Sequence, residues 1–231
     1  MTGEPRDLSS ADGAALGVSQ SRHENDLAPY FFTLRDVPPA PFELAGLFGN
    51  DHPLEVEVGT GRGLFLVNAG TTCPATNFLG IEYDFKEARR AARRLQKREL
   101  TNVRILGADA TIVLRQFLPD ACAQALHVYF PDPWWKRRHK RRRVFNSEFL
   151  EQAARILLPN GLLHAWTDVE EYFGVMTALV AANPSFAPLP PPPEREAAHD
   201  MDYHTSFERK KRQLGLPIFR ARWIRRPQTA S

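Results

Sequence analysis

The chain has little cysteine: two residues in 231, Cys73 and Cys122, far apart. They form no C-x-x-C pair and no even framework. That excludes a thiolate metal site and a disulfide-stapled secreted domain, and it suits a reducing compartment. Long apolar runs are missing too. The longest nearly apolar stretch, 172–182, is too short to span a bilayer, and the N-terminal residues carry acids and polar groups in place of an apolar signal core. The expected setting is the cytoplasm, with no membrane partner and no metal. A large excess of one charge is also absent: 30 Lys and Arg stand against 27 Asp and Glu, for a net charge of +3. With a pI near 9.0, positive charge can matter for a partner only where it is clustered.

Apolar residues make up 43% of the chain, enough for one α/β domain with a sizeable core. Residues 1–28 are rich in Gly, Ser, Ala and mixed charge without periodicity, and read as a disordered arm. Residues 29–231 read as a single domain. Short apolar runs at 54–58, 77–82, 102–106, 125–130 and 162–167 alternate with helical patterns. Five such alternations predict a doubly wound, mostly parallel sheet with helices on both faces. A last run, 218–224, reads as an antiparallel strand, and the proline-rich stretch 188–193 as extended surface chain. Asp84 with Glu87 has the spacing of a capping box. The helix behind it would carry Lys86, Arg89, Arg90, Arg93, Arg94 and Lys97 on one face. Ordinary solvation and RNA contact account for that face equally well.

Ligands of such sheets bind at the carboxyl ends of the strands, and five acids fall there: Glu57, Glu82, Asp109, Asp132 and Asp168. The first turn, Glu57-Val58-Gly59-Thr60-Gly61-Arg62-Gly63, is glycine-rich but has Leu64 where a dinucleotide fingerprint needs its last glycine. Gly59 and Gly61 would let the backbone approach a ligand. Glu57 would repel a phosphate and attract a cationic amino acid end. S-adenosyl-L-methionine has that end, a sulfonium, a ribose and no phosphate. Glu82 is placed for the ribose hydroxyls and Asp109 for the adenine amine.

The stretch 127–143 reads H-V-Y-F-P-D-P-W-W-K-R-R-H-K-R-R-R. The prolines flanking Asp132 stiffen a turn at the end of a strand. Two tryptophans follow, then Lys136, Arg137, Arg138, His139, Lys140, Arg141, Arg142 and Arg143. A rigid carboxylate beside so dense a positive run points to a reactive centre next to a docking surface for a polyanion.

These segments, together with F-L-G-I-E, G-A-D-A, T-D-V-E-E-Y and T-S-F-E, resemble the bacterial tRNA (guanine-N7-)-methyltransferase family, in family order over roughly residues 50 to 225. The resemblance implies a Rossmann-like class I methyltransferase with a seven-stranded sheet. It implies transfer of a methyl group from S-adenosyl-L-methionine to N7 of a guanine in the tRNA variable loop. It makes Glu57, Glu82, Asp109 and Asp132 cofactor-site residues, and Lys136, Asp168, Thr205, Ser206, Phe207 and Glu208 substrate-site residues. Guanine N7 carries an in-plane lone pair and needs no general base, so Asp132 would act electrostatically, as the catalytic residue, through charge. Asp168 or Glu208 could accept from the guanine N1–H and amine. Two further readings stand beside this one. One is a methyltransferase of the same class acting on another RNA base or a protein. The other is a non-catalytic RNA-binding protein of the same fold. The sequence leaves open whether the protein is a monomer or a homodimer.

Overall fold

A computed structural model describes residues 26–37, 40–134, 138, 143–192, 203 and 205–227. The strands are β1 (Phe31–Thr33), β2 (Leu54–Val58), β3 (Asn77–Glu82), β4 (Val103–Gly107), β5 (Ala123–Tyr129), β6 (Leu157–Thr167), β7 (Phe186–Leu189) and β8 (Phe219–Arg225). The helices are α1 (Leu44–Phe48), α2 (Leu64–Thr72), α3 (Phe85–Gln96), α4 (Ala110–Ile112, running on as a π turn over Val113–Phe117), α5 (Ser147–Ile156), α6 (Glu170–Ala181) and α7 (Ser206–Gln213). All the strands join one sheet in the order β1-β4-β3-β2-β5-β6-β8-β7. Pairing is parallel from β1 to β6 and antiparallel for β6–β8 and β8–β7.

Among the described residues the sheet has eight strands, not the expected seven. Both edges were weak signals. The edge strand β1 has only three residues, and Pro188 sits inside β7, where a missing N–H argues against a strand. At the α5–β6 boundary the helix ends at Ile156, and the chain enters β6 at once. Pro159-Asn160-Gly161 becomes an irregularity inside β6: the pairing moves from Ala123↔Leu157 to Ala125↔Leu162 across it. At the other end, Leu27 is only 3% exposed, and the Asp26 carbonyl accepts from Gln96 Nε2 at 2.7 Å. The arm boundary expected at residue 28 therefore falls inside packed structure. Residues 1–25 lie outside the described residues.

Helices cover both faces. Phe65, Leu66, Ala88, Ala91, Ala92 and Leu95 from α2 and α3 meet Phe78 and Ile105 on one face. Phe149, Leu150, Ile156, Tyr172, Met176 and Val180 from α5 and α6 meet Val56, Leu79, Leu126 and Val128 on the other. Each of the Val, Leu, Ile, Phe and Met side chains among these, fully buried, stabilises the fold by roughly 1.5–3 kcal/mol. The result is a rigid platform whose strand ends carry the candidate site.

Candidate active site

The glycine turn after β2 is held from below by its neighbours. The Gly61 N–H donates to Glu82 Oε2 at 2.8 Å. Gly61 has φ +51, and a Cβ there would meet open space, so a ligand can approach the backbone. Gly63 has φ +69 for a different reason: its missing Cβ would lie 2.9 Å from Ala91 Cβ, where α2 and α3 come together.

A cavity of about 520 Å³ opens above this turn. It is lined by Glu57, Gly59, Thr60, Gly61, Leu64 and Phe65 from the β2–α2 side, Tyr129 and Phe130 from β5, and Thr205, Ser206, Phe207 and Lys210 from α7, with Arg62 and Glu87 at its side. Three segments far apart in sequence thus face one space. Glu57 is 2% exposed, and its Oε2 has no hydrogen-bond partner among the described residues. Burial, and then the nearby Glu82 charge, hold its carboxyl well above the ordinary carboxylate range. An orphaned buried acid aimed at a cavity favours a cationic ligand. Together with the open glycine backbone, that fits the amino acid end of S-adenosyl-L-methionine.

Glu82 sits at the end of β3 with both oxygens engaged: Oε2 by Gly61 and Oε1 by the Asp84 N–H at 2.8 Å. The Asp84 side chain caps α3 through Lys86 N and Glu87 N. The expected reciprocal bond from Glu87 is replaced by the one to Glu82, because Glu87 pairs with Arg62 and Arg90. Each carboxylate oxygen of Glu82 keeps a second lone pair for ribose hydroxyls. Asp109 is exposed and caps α4 by accepting from Thr111 N at 2.8 Å. It does not line the cavity.

Asp132 is exposed two residues beyond Phe130, and likewise is not part of the cavity wall. Its turn is bent at both ends, with Phe130 at φ +52 and Trp134 at φ +41, conformations unusual for bulky residues. Arg143 locks this turn. Its Nε donates to the Pro133 carbonyl at 2.7 Å, its guanidinium lies 4.7 Å from the Tyr172 ring centre, and it is buried. Arg143 was expected in the docking surface for a polyanion. The geometry gives it a structural post, with Nε on the Pro133 carbonyl and the guanidinium over Tyr172. Arg138 is exposed. Lys136, Arg137, Lys140, Arg141 and Arg142 lie outside the described residues.

The T-S-F-E segment forms the start of α7. Thr205 caps α7, its Oγ1 accepting from Glu208 N at 3.0 Å. Phe207 is 60% exposed and stacks on Phe130 with centroids 6.0 Å apart. Glu208 is buried and ion-paired with Arg220 at 3.4 Å and Arg212 at 3.5 Å, which anchors α7 to β8. Asp168, half-buried, pairs with Lys211 at 2.6 Å. Positive charge gathers nearby: burial, then Arg62, Arg98 and Arg209, hold Arg94 below the ordinary arginine value.

A buried network under the cavity was not foreseen. His127 Nε2 lies 2.8 Å from Glu55 Oε2, and His127 Nδ1 lies 2.9 Å from the Tyr129 hydroxyl. Gln124 also donates to Glu55. Burial raises Glu55, but the hydrogen bond and charge of His127, with the Gln124 bond, outweigh it and leave the carboxyl below its ordinary value. Burial, followed by the charges of Glu57, Glu55 and Glu208, pushes the Tyr129 phenol well up, so it stays protonated. The signal was present: Glu55 and Glu57, and His127 and Tyr129, each stand two apart in apolar parallel strands, on one face.

Residues 51–221 match a family model described as "Putative methyltransferase". A tRNA (guanine-N(7)-)-methyltransferase of Rhodopirellula baltica is 42% identical over 87% of this chain and 76% of its own length. One of Ralstonia pickettii is 33% identical over 94% of this chain and 84% of its own. Among solved structures, the 16S rRNA methyltransferase KamB superposes with a TM-score of 0.59 at 16% identity, covering 80% of this chain and 93% of that one. That likeness is one of fold.

Proposed function

The chain belongs to the tRNA (guanine-N(7)-)-methyltransferase family, and from that premise we propose how its own residues carry out methyl transfer to N7 of a guanine in tRNA, with the variable loop as the target. The observation that carries the reading is the cavity in which the orphaned Glu57, the open glycine turn and the Thr205–Phe207 segment meet. The cofactor is S-adenosyl-L-methionine, which when bound supplies a methyl group activated by a sulfonium. Glu57 attracts the ammonium, Glu82 accepts from the ribose, and Gly59 and Gly61 give backbone access. Asp109 sits at the rim near Glu82, where its cap leaves lone pairs for an adenine amine.

The guanine enters from the α7 side. Phe207, exposed and backed by Phe130, offers a flat face for the base. Asp168 supplies an acceptor for the base edge at the end of β6. Glu208 serves chiefly to hold α7 in place, since its carboxylate is committed to Arg220 and Arg212. N7 attacks with its own lone pair, so no side chain removes a proton. The chain contributes alignment, which can account for roughly 7–11 kcal/mol of a barrier, and the Asp132 carboxylate, whose interaction grows as positive charge moves onto the guanine. Lys136, Arg137, Arg138, Lys140, Arg141 and Arg142 bind the tRNA backbone, and the protein works in the cytoplasm.

Incubation with tritiated S-adenosyl-L-methionine and bulk tRNA, followed by nucleoside analysis, tests this. Label in N7-methylguanosine is expected. Label in another base, or none with tRNA still bound, refutes the assignment.

A further inference from the structure

The basic face of α3, for which solvation and RNA contact accounted equally well in the sequence, has a definite place in the fold. Ala88, Ala91, Ala92 and Leu95 are buried, so the charged positions face outward. Five cations share the helix with one acid, Glu87, and that acid is bonded to Arg62 and Arg90. Lys97 and Arg98 extend the face beyond the last turn, and Lys86, Arg93, Lys97 and Arg98 are exposed. The face runs into the mouth of the cavity. Arg94 Nη1 donates to the Arg62 carbonyl at 3.1 Å, and Arg62 lines the cavity together with Lys210 of α7. Arg98 and Arg209 lie close enough to act on the Arg94 charge.

Water alone does not require this arrangement. Acids interleaved at i,i+4 would stabilise the helix, whereas like charges at Arg89 and Arg93, Arg90 and Arg94, or Arg93 and Lys97 destabilise it. The helix dipole favours cations in the last turn but opposes Lys86 in the first. It has no bearing on Arg62 and Lys210, which lie off the helix. Clustered positive charge at the rim of a site suits a polyanion. Its position differs from that of the run at 136–143. With α2, α3 covers one face of the sheet. Arg143, which closes the run, lies over Tyr172 of α6 on the opposite face.

We propose that Arg93, Arg94, Lys97 and Arg98 of α3, with Arg62 and Lys210 at the cavity mouth, form a second docking surface for the tRNA backbone, separate from the run at 136–142. This rests on tRNA being the substrate and adds a surface to that reading. The tRNA is then held from the α3 side of the cavity as well as from the loop that follows β5.

The salt dependence of binding to bulk tRNA tests this in the full chain. Arg93→Gln, Lys97→Gln and Arg98→Gln together remove exposed charge and leave the cavity lining intact. Binding should weaken, and the log–log salt slope should flatten by roughly 0.7–0.9 for each phosphate no longer neutralised. Affinity for S-adenosylhomocysteine should not change. The charge-preserving set Arg93→Lys, Lys97→Arg and Arg98→Lys should keep the wild-type slope. Combined with neutralised Arg141 and Arg142, the two reductions in slope should add. An unchanged slope in the triple Gln variant makes the face a solvated one and overturns the proposal. Equal flattening in the charge-preserving set, or a combined slope no lower than either alone, overturns it as well. Wild-type protein that binds tRNA with the expected slope but forms no N7-methylguanosine overturns the methylation reading and leaves the surface standing.

Discussion

Glu57→Gln should make the ligand-free protein more stable while weakening its grip on the cofactor. The carboxyl is buried, one oxygen has no partner, and Glu82 stands nearby. Leaving such a group uncompensated costs about 1–3 kcal/mol, more when it is charged. In a domain of this size 1 kcal/mol shifts Tm by roughly 2–4 °C, so the variant should melt about 2–12 °C higher near pH 8. The sign with pH follows from linkage. An acid whose value is raised on folding contributes stability that is whole below its ordinary value of 4.5 and is lost as pH climbs toward the folded value, by about 1.4 kcal/mol per unit. The gap between variant and wild type should therefore close near pH 4.5 and widen above it. Thermal melts across pH give this directly, and calorimetry with S-adenosylhomocysteine gives the other half, an expected loss of about 10- to 100-fold for one charged contact. A variant less stable than wild type at pH 8, or a gap that ignores pH, would refute the reasoning about the orphaned acid. Unchanged affinity would remove Glu57 from the ligand's path.

Glu82→Ala should weaken S-adenosylhomocysteine by about 10- to 100-fold and also loosen the glycine turn it braces. Glu82→Gln, which keeps one acceptor, should recover part of the loss in calorimetry. Asp132→Asn should slow single-turnover methyl transfer on the order of 100-fold, about 2.7 kcal/mol, with little change in Tm because the side chain is exposed; a near-normal rate would reduce it to a turn residue. Neutralising Arg141 and Arg142 together should flatten the log–log salt dependence of tRNA binding by roughly 0.7–0.9 for each phosphate no longer neutralised. Adding Arg143→Leu should instead lower Tm, since Arg143 holds Pro133 and Tyr172.

The frame of the protein was legible where local pattern and burial agree. β2 and β3 form over the residues whose apolar runs predict them, and Asp84 caps α3. The edges were less legible because their signals are short or broken by proline, as in β1 and β7. Within the site, sequence position identified acids at strand ends but not how each is engaged. Glu57 is left with an orphaned oxygen, Asp109 commits one carboxylate oxygen to a helix cap, and Glu208 is buried under Arg220. Those differences come from tertiary contacts between residues tens of positions apart. A charge run conceals the same variety: Arg143 closes it in sequence yet turns inward, because the turn it follows needs a donor.

The two outer strands have a consequence for how the molecule meets copies of itself. One border of the sheet is a three-residue strand; the other carries Pro188, which has no N–H to offer, with prolines following directly at 190–192. Neither border is a template on which a further strand can grow, and short, proline-bearing borders are the usual guard against sheet-to-sheet aggregation. Strand addition between copies is thereby disfavoured at both borders of the described sheet, which leaves the sheet finite.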